Sequence, residues 1–281
     1  MTMALQWPVF ADAETAVQKG DNVRKFLQFL LSVGKFLLKV VAVLAVTGAY
    51  DVARNKPADK PVLKRYFTGN GILTWLLSPL NTLLDLLALP FVNKGVYELA
   101  DLPKDYQEEI KRMLDAAIQE DLVGKLEETA KDRQRTMIFF KWYGENVDNI
   151  IDIPAFHEEF KYVQTIGVSI FSKKQSTSKH FGPFRATLRL LYNINDMNDD
   201  SAYITVGDKT SYWRTNKLFI FDDTLMHQSF NETEQTRYCL FVDIIRPSLF
   251  PRLFKSIVGT VRYFLRSYNY VFYKNWDVIK N

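Results

Sequence analysis

The second half of the chain consists of short apolar runs separated by polar breaks. This pattern limits the possible folds more than any other feature of the sequence. Residues 195–200, Asn-Asp-Met-Asn-Asp-Asp, form one such turn-rich break. Many short, regularly spaced strands are typical of a barrel or a double-sheet jelly roll. The predicted strands, rich in β-branched and aromatic residues, cover residues 162–171, 185–194, 202–206, 217–221 and 236–244.

A long apolar segment, residues 24–50, precedes this β-rich part. Its polar residues recur every three or four positions and therefore form one stripe along a predicted helix. Such a basic amphipathic helix can lie in a membrane interface, or it can pack on the core of the protein itself. A transmembrane helix would have to include two lysines of the stripe, which is costly unless they reach the headgroups. The stripe consists of Lys25, Gln28, Ser32, Lys35 and Lys39.

A second apolar segment covers residues 71–92. Its polar residues, among them Asn81 and Asp85, form another helical stripe, and Pro79 is expected to start or kink a helix. Residues 51–68 contain two Lys-Pro pairs and are predicted to be a basic connector. Two apolar helices joined by such a connector indicate either a membrane hairpin or a helical subdomain that caps the barrel.

The remaining helices are amphipathic. Two are predicted at residues 102–122 and 125–135, beside a sheet. At the C-terminus, residues 249–273 interleave apolar side chains with lysines and arginines, so this segment either binds anionic headgroups or wraps around the barrel as a helix. The chain is therefore expected to divide into an apolar helical region that is membrane-associated or capping (1–100), a central domain of helices and jelly roll (101–247) and a basic amphipathic extension (248–281).

Composition narrows the classes of function. An apolar content of 47% with 14% aromatic residues in 281 residues is ample for a folded core. The net charge of +4 comes without a basic and aromatic recognition motif, so no nucleic-acid partner is expected. A single cysteine, Cys239, excludes an internal disulfide and fits a reducing compartment. No secretory signal is apparent, which predicts the cytoplasmic side of a membrane, and the oligomeric state is left open.

Two of the three histidines lie in distinctive surroundings. His180 begins the run His-Phe-Gly-Pro, with Arg189 further along a predicted strand, and His227 ends the run Phe-Asp-Asp-Thr-Leu-Met-His, with Arg237 on the next strand. Imidazole is a good ligand for Fe(II), Zn or Cu. An arginine just past the second histidine has the forked geometry that binds a carboxylate. Together these residues suggest a metal site with an anion-binding neighbour.

These segments resemble the aspartyl/asparaginyl β-hydroxylase family of Fe(II)- and 2-oxoglutarate-dependent dioxygenases, which includes the bacterial lipid A hydroxylases. The resemblance implies a double-stranded β-helix, a jelly-roll and cupin-like fold. The whole chain is then an α+β protein with N-terminal apolar helices, a catalytic barrel and a basic C-terminal helix. The match runs from Phe139 to Pro247 and includes Phe140-Lys141-Trp142-Tyr143-Gly144, Val168-Ser169-Ile170, His180-x-Gly-Pro, Leu188-Arg189, Phe219-Ile220-Phe221-Asp222-Asp223, His227, Arg237 and Phe241-Val242-Asp243.

The resemblance also implies roles for single residues. His180 and His227 would be the ligands of Fe(II), and Arg237 would pair with the distal carboxylate of 2-oxoglutarate. Ser169 and Arg189 match positions that contact this cosubstrate, although a strand hydroxyl and a salt bridge within the barrel are alternative roles for them. His180, His227 and Arg237 are thus the expected catalytic residues.

Two positions depart from the common pattern. Gly182 stands where the usual iron site has an aspartate, a form that aspartyl/asparaginyl hydroxylases share, and a water is taken to fill that ligand position. Leu191 stands where family members commonly have a histidine that helps to hold the cosubstrate, and Tyr192 is one candidate to compensate for it. Asp222 and Asp223 lie near His227, where they either orient its ligands or only form a turn.

The expected activity is hydroxylation of a C–H bond, with a membrane-lipid acyl chain as the favoured substrate because the flanking helices are apolar and basic. Hydroxylation of Asp or Asn side chains in proteins is the alternative that the His-x-Gly-Pro form favours. A non-catalytic jelly roll that binds a metal or ligand is a hypothesis of another class, which Gly182 and Leu191 motivate. Trp142 and Tyr143 are expected to pack the barrel rather than contact substrate.

Overall fold

A computed structural model describes residues 10–91, 93–129, 135–148, 150–265 and 277–278. The helices are α1 (Phe10–Arg54), α2 (Lys60–Thr68), α3 (Ile72–Leu76), α4 (Ser78–Leu87), α5 (Lys104–Gln119), α6 (Leu122–Thr129), α7 (Pro154–His157) and α8 (Pro251–Leu265), with a 3-10 turn at Leu99–Asp101. The strands are β1 (Val96–Tyr97), β2 (Arg135–Trp142), β3 (Glu145–Asn146), β4 (Val163–Phe171), β5 (Gln175–Ser176), β6 (Thr187–Asn193), β7 (Ala202–Val206), β8 (Lys209–Tyr212), β9 (Leu218–Phe221), β10 (His227–Asn231), β11 (Arg237–Ile245) and β12 (Asp277–Val278).

The chain divides into two compact units, Met1–Val46 and Thr47–Asn281. The first unit contains most of α1, and the large apolar side chains of this part of the helix are exposed; Phe29 and Leu38, for example, are 62% and 70% exposed. By length and composition alone, Asn22–Arg54 could cross a membrane. Signal sequences and core helices of soluble proteins can be equally long and apolar. Both roles of this segment, a membrane helix and a helix that packs on the protein's own core, therefore stay predictions.

The second unit is built on two sheets. In the larger sheet the strand order is β1-β9-β6-β11-β4-β2-β12, with β3 added to β2, and in the smaller one it is β5-β10-β7-β8. Apart from the parallel β2–β12 pair, neighbouring strands are antiparallel. Except for the consecutive pairs β2–β3 and β7–β8, strands that are neighbours in space are not consecutive in sequence, as in a jelly roll and unlike a meander. The prediction of a jelly-roll barrel with helical additions is confirmed.

Successive residues of a strand point to opposite faces of its sheet, and here both faces of the larger sheet are buried. Even-numbered residues such as Ile166, Leu190 and Val242 join a core that includes Ile110 and Met113 of α5. Odd-numbered residues of β4, β6 and β11 point the other way and line a cavity. This period of two brings Ser169, Phe171, Arg189, Leu191, Arg237 and Phe241 to one surface.

Each predicted strand run contains an observed strand, but the sequence pattern does not single out β2, β8 and β10, nor the two-residue strands β1, β3, β5 and β12. The reason for β10 is chemical. Its buried residues, His227, Ser229 and Asn231, are polar, whereas Phe230 on the opposite face is only half-buried. The pattern is therefore the reverse of an ordinary half-buried strand.

The prediction of a connector at residues 51–68 is wrong. The helix α1 continues to Arg54, and α2 starts at Lys60, where the Asp59 side chain accepts a hydrogen bond from Val62 N at 2.9 Å. The second Lys-Pro pair lies in the first turn of α2, where proline is well tolerated.

Other boundaries moved by a few residues. Residues 71–92 contain two short helices, α3 and α4, and Pro79 lies in the first turn of α4 as expected. The helix predicted at 125–135 is α6, which ends at Thr129, and Arg135 already starts β2. Of the predicted segment 249–273, α8 covers Pro251–Leu265, and residues 266–273 lie outside the described residues. The division of the chain at residues 100 and 247 stays a prediction.

Candidate active site

His180 and His227 lie directly opposite each other in an isolated antiparallel bridge between the segment before β6 and the first residue of β10. His180 N donates to His227 O at 3.0 Å, and His227 N donates to His180 O at 2.9 Å. Paired residues project their side chains to the same side of the ladder. The two imidazole ring centres are 4.1 Å apart, so the fold brings the two predicted ligands together.

The hydrogen bonds of these rings fix which nitrogen is available. His180 Nδ1 lies 2.7 Å from Ser178 O, and His227 Nδ1 lies 2.8 Å from Leu225 O. A carbonyl oxygen can only accept, so each Nδ1 carries the proton and each Nε2 keeps its lone pair. Burial lowers the pKa of both imidazoles and favours their neutral form. This is the arrangement in which histidine ligates a metal.

A carboxylate lies beside the two rings. Asp223 Oδ1 is 3.3 Å from His227 Nε2, and the backbone N–H of Gly182 donates to Asp223 O at 2.7 Å. A Cβ built on Gly182 would lie 1.8 Å from Asp223 Oδ2. The Asp223 side chain therefore occupies the space that an aspartate at position 182 would need. Among the described residues, no three His, Cys, Asp or Glu side chains group closely enough to hold a metal on their own.

Asp222, the neighbour of Asp223, points away into a buried ion network. Its carboxylate lies 2.5 Å from Arg54, 3.5 Å from Arg185 and 3.6 Å from Arg246. Burial alone would raise the pKa of Asp222, but the three guanidinium groups hold it well below its usual range. Asp222 also accepts a hydrogen bond from the backbone N–H of Thr224 at 2.9 Å. The two aspartates thus differ in position: Asp222 stabilises the turn before His227, and Asp223 lies beside the histidine pair.

Arg237 is buried and lines the cavity, and most of its N–H donors make no hydrogen bond. Nη2 donates to Ser229 Oγ at 3.0 Å, while Nε and Nη1 have no hydrogen-bond partner. The guanidinium lies 4.4 Å from the ring centre of Phe171 and 5.2 Å from that of Trp213. Burial lowers its pKa, yet arginine stays charged in proteins. In the part of the chain that the structure describes, no carboxylate pairs with Arg237, so a bound anion would satisfy a group that is costly to bury alone.

Arg189, by contrast, is already paired. Its Nε donates to Asp243 Oδ1 at 2.7 Å, its Nη1 is 3.3 Å from Asp223 Oδ1, and it stacks over the Phe241 ring at 3.7 Å. The hydroxyl of Ser169 donates to Cys239 O at 3.3 Å. Both residues line the cavity, and their contact with a cosubstrate stays a prediction.

One expectation about neighbouring side chains is wrong. Tyr192 packs on the opposite face of the sheet, against the core that contains α5, because it is adjacent in sequence to the cavity-lining Leu191. It therefore cannot replace a histidine at position 191. Trp142 and Tyr143 line the cavity, and Tyr143 also packs against the core that Leu84 and Phe254 share, so the expectation that they do not contact substrate stays a prediction.

The cavity has a volume of about 160 Å³ and has both polar and apolar lining residues. The rest of the lining is mostly aromatic and aliphatic, and the polar residues are Ser169, Thr177, His180, Arg189, His227, Ser229 and Arg237. Such a pocket suits a ligand with a charged end and an apolar remainder. The apolar lining comprises Met137, Trp142, Tyr143, Phe171, Phe181, Pro183, Leu191, Ile204, Phe221 and Phe241.

Comparison with known proteins is consistent with this geometry. The family model described as aspartyl/asparaginyl beta-hydroxylase matches residues 104–247. The ornithine lipid ester-linked acyl 2-hydroxylase of Rhizobium tropici is 28% identical over 224 residues, which cover 73% of this chain and 77% of that protein.

Solved structures match more weakly. The protein TT1209 from Thermus thermophilus is 12% identical, covering 40% of this chain and 86% of that chain with a TM-score of 0.27. A cupin superfamily protein from Desulfitobacterium hafniense is also 12% identical, covering 41% and 81% with a TM-score of 0.27. At these scores the jelly-roll assignment rests on the strand order described above.

Proposed function

Because the chain belongs to the aspartyl/asparaginyl β-hydroxylase family, we propose that it is an Fe(II)- and 2-oxoglutarate-dependent dioxygenase that hydroxylates a C–H bond in the acyl chain of a membrane lipid. The observation that carries this proposal is the buried guanidinium of Arg237, which lines the same cavity as the two histidines and has two nitrogens, Nε and Nη1, without a hydrogen-bond partner.

The donor set fits these cofactors. His180 and His227 would hold Fe(II) through their Nε2 atoms, and Asp223 would accept hydrogen bonds from waters at the metal. Arg237 would pair with the distal carboxylate of 2-oxoglutarate, beside the hydroxyls of Ser169 and Ser229. When bound, iron and 2-oxoglutarate supply an oxidant strong enough for an unactivated C–H bond.

The protein's own contribution is orientation and exclusion of water. Arg189 is held by Asp243 and Asp223 and lies against Phe241, so it forms a fixed wall of the cavity. The apolar side chains opposite it leave few groups to which a stray water could bond. A substrate carbon would thus lie against apolar walls, with the polar residues of the lining kept for the cofactors.

Two features favour a lipid over a protein side chain as substrate. The relative from Rhizobium tropici is named for an acyl 2-hydroxylase activity on ornithine lipid. In addition, the arginines that line the cavity are both accounted for, since Arg189 is paired with two carboxylates and Arg237 is assigned to the cosubstrate. A substrate aspartate would find no further arginine among the cavity-lining residues that the structure describes. We place the enzyme on the cytoplasmic side of a membrane, where a free cysteine such as Cys239 is normal.

The test is a substrate comparison with purified full-length protein, Fe(II), 2-oxoglutarate and oxygen. An ornithine lipid in vesicles and an Asp- and Asn-containing peptide are offered separately, and lipid and peptide are analysed by mass spectrometry. We expect the lipid to gain one oxygen atom for each succinate formed, and His180→Ala to abolish both products. Oxygen gained only by the peptide would contradict the lipid assignment.

A further inference from the structure

Helix α4 does not turn a polar side to water as an ordinary surface helix does. Its polar residues Ser78 and Asn81 are fully buried together with Leu84. Three of the leucines in and just after this helix face outward instead: Leu83 is 51% exposed, Leu86 62% and Leu89 56%.

Buried polar contacts lock this orientation. The Asn81 side chain donates to Pro183 O at 3.0 Å and accepts from Arg185 N at 3.0 Å. Asp85 lies 2.8 Å from Arg185 and 2.9 Å from Arg246. Turning the leucines inward would leave these buried groups unsatisfied, which costs more than the leucines would gain. The exposure of the leucines is therefore a fixed property of the fold.

Two helices that adjoin α4 also expose apolar side chains. In α3, the buried Thr74 donates to Gly182 O at 3.1 Å, while Ile72 and Leu76 are 42% and 55% exposed. Helix α8 shares a core with α4 through Phe254 and Val258. We call the exposed residues of these helices and their ends the α3–α4–α8 face: Ile72, Leu73, Leu76, Leu83, Leu86, Leu89, Phe250 and Leu253.

Charge indicates what this face meets. At the start of α8 the exposed Arg252 lies in sequence between the exposed Phe250 and Leu253, and α8 contains no acidic residue. The next cation, Lys255, is exposed as well and donates a hydrogen bond to Phe160 O at 3.2 Å. Apolar side chains flanked by cations are suited to the interface of an anionic bilayer, where the cations meet headgroups. A protein partner would instead be expected to meet a polar rim with satisfied hydrogen bonds.

The helices that carry this face contact, with their buried side, the loop that lines the cavity. Phe181, Gly182 and Pro183 line the cavity, and their carbonyl oxygens accept hydrogen bonds from Asn70, Thr74 and Asn81, which lie just before or within α3 and α4. Tyr143 lines the cavity as well and packs against the α4–α8 core.

We propose that the α3–α4–α8 face is a lipid-contacting surface of the second unit, which seats in the interface of an anionic bilayer next to the cavity. This surface is additional to helix α1. Docking does not depend on the catalytic proposal; only the use of the face to admit an acyl chain rests on the proposed function.

Vesicle binding alone would not test the proposal, since α1 could also hold the chain on a membrane. Cys239 is fully buried, so a cysteine introduced at the surface can be labelled selectively with a fluorophore. Leu86→Cys and Phe250→Cys report on the face, and Ile118→Cys on α5, 57% exposed, is the matched control. Full-length protein is added to phosphatidylcholine–phosphatidylglycerol vesicles that carry a spin-labelled acyl chain as quencher.

The labels at Leu86 and Phe250 are expected to lose most of their fluorescence, and the label at Ile118 is expected to keep it. The variant Arg252→Glu should reduce the quenching at Leu86. Equal quenching at all three sites, or an unquenched Leu86 label on vesicle-bound protein, would overturn the proposal. Burial of the Leu86 label without lipid and with rising protein concentration would assign the face to a second copy instead. No iron or 2-oxoglutarate enters the assay, so its failure is distinct from a failure of the proposed activity.

Discussion

Replacing Arg237 by methionine should make the protein more stable and at the same time unable to bind 2-oxoglutarate well. The guanidinium is 1% exposed, lies over Phe171 and Trp213, and leaves Nε and Nη1 unpaired. Exchange of a buried ionic group for an apolar one of similar length is often stabilising, by about 1–4 kcal/mol. We expect a gain near the lower end, because the Ser229 hydroxyl also loses its partner.

The loss of binding follows from the same contacts. Hydrogen bonds to charged groups contribute about 1.5–3 kcal/mol each. Two such bonds to the distal carboxylate would make Arg237→Met lose about 3–6 kcal/mol of 2-oxoglutarate binding, which is at least about a hundredfold in KM. Metal affinity should change little, because the hydrogen bonds that hold His180 and His227 do not involve Arg237.

Arg189→Met is the matched control, since Arg189 lines the same cavity and also lies over an aromatic ring. Its removal leaves the buried Asp243 without its ion-pair partner, which should destabilise the fold by about 3–5 kcal/mol. Thermal unfolding with and without 2-oxoglutarate, under anaerobic conditions with Fe(II), separates the two variants. If Arg237→Met is destabilised as strongly as Arg189→Met and is still stabilised by 2-oxoglutarate, Arg237 is not the group that binds the distal carboxylate.

Two further predictions concern the aspartates near His227. Gly182→Asp should lower stability and iron affinity, because its Cβ would collide with Asp223. Calorimetric Fe(II) titration should show that iron affinity recovers in the double variant Gly182→Asp/Asp223→Gly. Unimpaired iron binding by the single variant Gly182→Asp would contradict this prediction. The lowered pKa of Asp222 means that its stabilising contribution is complete above the unfolded pKa of about 4 and declines as the pH falls towards the folded pKa. Asp222→Asn should therefore be less stable than the unmodified protein at pH 7, and it should lose less stability than that protein when the pH falls. Urea unfolding of both proteins at several pH values measures this. If the stability of both falls equally with pH, the ion network does not stabilise the fold as described.

The sequence predicted the barrel well where strands followed ordinary patterning and poorly where buried residues were polar. The runs that became β4, β6 and β11 have apolar residues on both faces, as strands buried on both sides do. The strand β10 was missed because its inward residues are His227, Ser229 and Asn231. The polar stripe of α4 was visible, but its inward direction depends on contacts with Arg185 and Arg246 that no local pattern contains.

The candidate site divides in the same way. His180, His227 and Arg237 could be predicted because their surroundings in sequence are distinctive, and the fold places all three on one cavity. The position of Asp223 in the space beside Gly182 could not be predicted, because it depends on the register of the bridge between His180 and His227. The opposite facing of Leu191 and Tyr192, however, follows from the period of two and could have been predicted from the sequence.

Whether His180 and His227 hold a catalytic iron can be measured by anaerobic Fe(II) titration, followed by a single addition of oxygen and 2-oxoglutarate. We expect one Fe(II) bound per chain, succinate formed on oxygen addition, and loss of both in His180→Ala and in His227→Ala. Iron binding and succinate formation that survive in both variants would contradict this expectation, because the metal would then lie elsewhere than between His180 and His227.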